Sequence, residues 1–94
     1  MDARDLNPLS VEPLFELSVV EQKAGRDAAA RAALEQAVRL QPDNPKTWLR
    51  LAQLELYVLD RPDVALDAIR PALYLDPRDA ETIDTFVAAR REAA

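Results

Sequence analysis

The run Asn44-Pro45-Lys46-Thr47-Trp48 decides the fold. Asn44 is a good helix N-cap, because its side-chain carbonyl can accept from the free N–H groups of a first turn. Pro45 follows at the first helical position, where its missing N–H costs nothing. The same arrangement recurs on both sides: Ser10-Val11-Glu12-Pro13-Leu14 begins 34 residues earlier and Asp79-Ala80-Glu81-Thr82-Ile83 begins 35 residues later. Three helices are therefore expected to start at equivalent places.

The stretches between these starts also end alike. Leu40-Gln41-Pro42-Asp43 recurs as Leu75-Asp76-Pro77-Arg78, and a proline stops a helix by pushing the residue before it out of the α region. Each unit has room for two helices around an inner break. The first break falls at Gly25-Arg26-Asp27, where Gly25 can take the left-handed conformation that ends a helix. The second falls at Asp60-Arg61-Pro62-Asp63, which has one extra residue and no glycine. The spacing predicts helices near 11–24, 27–40, 45–59, 62–75 and 80–92, joined by turns that allow only antiparallel neighbours.

Helical spacing gives the faces expected to be buried. They are Leu14, Leu17 and Ser18 against Ala30, Leu34, Ala37 and Val38, then Trp48, Leu51 and Ala52 against Ala65, Ile69, Ala72 and Leu73. Large side chains face small ones, so paired helices approach closely, and Ala37→Leu or Ala72→Leu is expected to overpack. Pro71 falls inside the fourth helix, where a bend is expected.

Composition agrees with an all-α chain. Alanine (17) and leucine (14) make up about a third of the 94 residues, with a single glycine and no cysteine or histidine. The lack of cysteine excludes disulfides and thiolate metal sites. A net charge of −5 with scattered arginines argues against nucleic acid, which needs a concentrated basic face. No stretch approaches the roughly 18 apolar residues that span a bilayer, so direct membrane insertion is not expected. General acid–base and nucleophilic chemistry would fall to carboxylates, lysines or tyrosines, and no pair of them stands out. The acidic residues around Pro62 and Pro77 read as helix caps. No catalytic, metal or cofactor site is assigned.

These residues resemble the tetratricopeptide repeat, a 34-residue helix-turn-helix. Its pattern reads here as Leu14, Leu17, Ser18, Gly25, Ala30, Leu34, Ala37, Pro42, and again as Trp48, Leu51, Ala52, Ala65, Ile69, Ala72, Pro77. The resemblance implies an all-α, right-handed superhelix of antiparallel helix pairs with about five helices. It divides the chain into residues 10–43, 44–78 and a half-repeat 79–94, with Ile83, Phe86 and Val87 on the last helix. Ala3 and Pro8 sit where a preceding unit would place its last Ala and closing Pro, so residues 1–9 are expected to be the remnant of one. The run Leu6 to Leu14 also resembles repeat segments appended to bacterial O-antigen-ligase-like membrane proteins. That implies a non-catalytic arm of a larger glycosyl-transfer protein as an alternative.

In this family the first helix of each unit lines an inner groove. The resemblance places Glu12, Phe15, Val19, Gln22 and Lys23 there with Lys46, Leu49, Gln53, Leu56 and Tyr57, and adds Glu81, Asp84, Ala88 and Arg91 from the last helix. The groove residues expected to meet a protein or peptide partner are Phe15, Val19, Gln22, Lys23, Lys46, Leu49, Gln53, Leu56 and Tyr57. Phe15 and Val19 stand where members that hold acidic chaperone tails use Lys and Asn, so a carboxylate clamp is not expected. Phe15, Val19, Leu49, Leu56 and Tyr57 point instead to an apolar strip. The strip is equally explained by cover from a neighbouring repeat, from residues 1–9, or from a second copy in a homo-oligomer formed through the array ends.

Overall fold

Two kinds of local signal set the helices. Asn44 accepts the Lys46 N–H on Oδ1 (2.9 Å) and Asp79 accepts the Thr82 N–H on Oδ2 (2.9 Å), while Pro45 and Pro62 open their helices at the first position. The computed structural model describes residues 10–94. It contains α1 (Glu12–Lys23), α2 (Asp27–Leu40), α3 (Pro45–Gln53), α4 (Pro62–Leu75) and α5 (Ala80–Ala93). A π-helical turn, Leu54–Val58, extends α3 to the edge of the second inner break. The expected remnant at residues 1–9 lies outside the described residues.

The start of α1 departs from the expected pattern. Val11, not Ser10, flanks the helix, and it makes no side-chain cap. Ser10 Oγ only reaches the Glu12 N–H at 3.4 Å. α4 runs on through Pro71, which is half-buried, to Leu75.

α1 packs on α2, α3 on α4 and α4 on α5, with α3 also against α2. The main core gathers Val11, Phe15, Ala30, Leu34, Ala37, Val38, Leu49, Leu51, Ala52, Leu54, Ala68, Ile69 and Ala72, with Leu14, Trp48 and Phe86 half-buried at its margin. Ala30, Ala37, Ala52, Ala65 and Ala72 have no accessible surface, as expected of small residues at close helix crossings. A smaller cluster of Leu56, Ala65 and Ala89 joins α5 to the rest.

One expected core position is overturned. Leu17 is 46% exposed, whereas Leu51, its counterpart 34 residues later, is 9% exposed; Val20 and Leu54 differ likewise, at 58% and 4%. The reason is position in the array. The α1–α2 hairpin covers α3 on that side, and no described residue covers α1 in the same way.

Candidate partner-binding groove

α1, α3 and α5 lie on one side of the molecule, and two depressions run between them. The first, about 270 Å³, lies between α1 and α3 and is lined by Ser18, Val19, Gln22, Leu34, Arg50, Gln53, Leu54, Tyr57 and Val58. The second, about 320 Å³, lies between α3 and α5 and is lined by Asn44, Lys46, Leu49, Arg50, Gln53, Asp76, Asp79, Glu81 and Thr82. Arg50 and Gln53 line both, so the two depressions adjoin.

The depressions differ in chemistry. The first has an aliphatic floor of Leu34, Leu54 and Val58 beneath the exposed side chains of Val19 and Tyr57. The second is polar, and most of its acceptors are engaged. Asp79 caps α5 through the Thr82 N–H and the Thr82 hydroxyl (2.7 Å), and these bonds, with Lys46 nearby, hold its carboxyl below the usual range. Glu81 accepts from Gln53 Nε2 at 2.8 Å, tying α3 to α5. Between the two depressions, the Arg50 guanidinium lies 4.5 Å from the centre of the Phe15 ring, a cation–π contact that fixes its direction.

The sequence-predicted groove residues divide accordingly. Val19, Gln22, Gln53 and Tyr57 line the first depression, and Lys46, Leu49 and Gln53 line the second. Lys23 is exposed but borders neither. Phe15, Leu49 and Leu56 correct the expected open apolar strip, because all three are buried. Phe15 and Leu49 serve the main core, and Leu56 packs on Ala65 and Ala89. Of the five residues of that strip, Val19 and Tyr57 are the exposed ones.

Two residues escaped the sequence reading. Arg50 was legible, since it lies four residues after Lys46 and three before Gln53, on the same helical face. Glu55 was harder to recognise, because a glutamate on a helix ordinarily reads as solvated. Its side chain is fully buried. Arg31 Nε donates to Oε2 at 2.6 Å, and Arg61 Nε donates to Oε1 at 3.1 Å. The signal available was periodic: Glu21 stands 34 residues before Glu55 and Arg26 stands 35 before Arg61. Arg26 also pairs with Glu21, at 2.7 Å, which lowers the Glu21 pKa and raises that of Arg26.

This stacking of short helix pairs accompanies a direct match. Residues 11–54 match the family model of the tetratricopeptide repeat. The matched stretch covers α1, α2 and α3, and the all-α architecture of five helices is tetratricopeptide-like throughout the described residues. No curated protein matches the chain, so the O-antigen-ligase-like resemblance rests on the run Leu6 to Leu14 alone. Tetratricopeptide repeats serve in general as protein-interaction scaffolds without catalytic roles. Among the described residues there is no group of His, Cys, Asp or Glu able to hold a metal ion, and no helix long and apolar enough to cross a membrane.

Proposed function

We propose that the chain is a non-catalytic interaction module that holds a segment of a partner protein along the concave face of α1, α3 and α5. In this reading the units run from Ser10 to Asp43 and from Asn44 to Arg78, with a half-unit from Asp79 onward. The observation that carries it is that the two depressions adjoin and share Arg50 and Gln53. An apolar partner side chain enters between Val19 and Tyr57, and the flanking polar atoms meet Gln22, Gln53 and Arg50.

Selection from a random peptide library tests the reading. The wild-type chain is expected to enrich peptides with an apolar residue at a fixed position. Val19→Asp with Tyr57→Asp is expected to abolish their binding while circular dichroism stays helical, since both positions are exposed. No enrichment, or equal binding by the double variant, overturns the reading.

The exposed apolar residues at the two ends favour a second reading, a homo-oligomer formed through the array ends. Leu17 and Val20 on α1 and Ile83 and Val87 on α5 are all at least 39% exposed. Sedimentation over a range of concentrations decides it, and a concentration-independent monomer removes it.

A further inference from the structure

The ends of α1 and α3 are built on the same anchors with different chain lengths between them. At the end of α1 the Arg26 N–H donates to the Glu21 carbonyl, five residues back, at 2.8 Å, and Gly25 takes the left-handed conformation (φ 80°). At the end of α3 the Arg61 N–H donates to the Glu55 carbonyl, six residues back, at 2.7 Å, and Asp60 is left-handed (φ 54°). In both, the arginine side chain also grips the carboxylate of the glutamate whose carbonyl it holds. The extra residue is absorbed by the π-helical turn, in which the Leu59 N–H reaches back five residues to the Leu54 carbonyl at 3.0 Å. Isolated π-turns of this kind recur at functional sites.

The side chains of the π-turn meet different surroundings. Leu56 is buried against α4 and α5, whereas its counterpart Gln22 lines the first depression. Val58 lines that depression and Tyr57 stands exposed at its rim. Glu55 lies in the same π-turn, with its side chain buried. Its chain neighbour Leu54 forms the floor, Val58 follows three residues on, and Arg31, which grips Glu55 from α2, precedes the floor residue Leu34 by three. The Arg31–Glu55–Arg61 cluster therefore ties the π-turn to the α1–α2 hairpin, which carries the opposite wall of the apolar depression.

We propose that Glu55, gripped by Arg31 and Arg61, is a positioning residue that sets the width of the Val19–Tyr57 depression and so selects which apolar side chain of a partner enters it. This rests on the groove reading above. It goes further in assigning selectivity to buried residues that a bound segment does not touch. Arg31 bears most of this role, because it alone reaches Glu55 from the other hairpin.

The test uses the full chain and peptides selected on the wild type, in matched sets differing only at the apolar position, from Ala and Val to Phe and Trp. Arg31→Met and Glu55→Gln are expected to change the preference between large and small side chains by about tenfold or more, a difference of roughly 1.4 kcal/mol. Arg31→Lys, which keeps the charge, is expected to restore much of it. A merely destabilised scaffold lowers affinity for the whole set together and leaves the ratio unchanged. Methyl NMR of Leu34, Leu54 and Val58 supplies a ligand-free readout, in which Arg31→Met shifts all three and Arg39→Met, an exposed α2 control, shifts none. Wild-type binding with an unaltered preference in Arg31→Met and Glu55→Gln overturns this proposal and leaves the groove reading standing. Absence of binding by the wild type fails the groove reading, and unmoved methyl signals in Arg31→Met then overturn this proposal as well.

Discussion

The two left-handed residues, Gly25 and Asp60, do the same job with different chemistry. Each ends the first helix of a pair by turning the chain back on itself. A Cβ added at Gly25 would meet nothing within 4 Å, so a substitution there meets only backbone strain. A side chain in the left-handed region costs on the order of 1–2 kcal/mol, less for Asp or Asn, whose short polar side chains bond locally. Gly25→Ala is accordingly expected to lower stability by about 1 kcal/mol. Asp60→Gly is expected to raise it by no more than about 1 kcal/mol, because the relief of strain is partly offset by a more flexible unfolded chain. Urea denaturation of the two variants beside the wild type checks both signs. A gain in Gly25→Ala would mean that the turn relaxes to a right-handed conformation.

At the scale of helices, most of the architecture was legible because start and stop signals are local. Asn44, Asp79, Pro45 and Pro62 act through bonds made or lost within one turn, and their helices begin where the spacing places them. The small residues Ala30, Ala37, Ala65 and Ala72 were equally legible, since a close crossing needs them wherever the helices pair. What stayed hidden depends on neighbours that are distant in sequence. Leu17 and Leu51 occupy the same place in the pattern, yet among the described residues only Leu51 has a preceding hairpin to cover it. Phe15, Leu49 and Leu56 fall on positions that the family resemblance assigns to the groove. Phe15 and Leu49 join the main core, and Leu56 packs on Ala65 and Ala89. The extra residue in the second break was visible as a count. That it is stored inside the helix, beside a carboxylate held by Arg31 from 24 residues away, is not written in the local sequence.

Across the described residues cohesion is uneven, and the last helix contributes least to the main core. α1 contributes Val11 and Phe15 to the main core, whereas α5 reaches it only through half-buried Phe86. Its other attachments include buried Thr82 and Thr85, the small Leu56–Ala65–Ala89 cluster and the bonds from Gln53 to Glu81 and, more weakly, to Thr85 at 3.4 Å. Local stability follows buried apolar contact, so α5 is expected to open in a step of lower free energy than global unfolding, while α2, α3 and α4 open last. Hydrogen exchange under native conditions reads this order amide by amide. Leu56→Ala sharpens the test. Truncating a buried leucine costs roughly 2–5 kcal/mol, and here the loss falls on the contact that carries α5. Protection is therefore expected to drop in α5 while that of α1 and α2 stays near the wild-type level. A uniform drop across all five helices would instead mean that α5 unfolds together with the main core. The Arg31–Glu55 link and the shared half-buried Phe86 would then be enough to make the array a single cooperative unit.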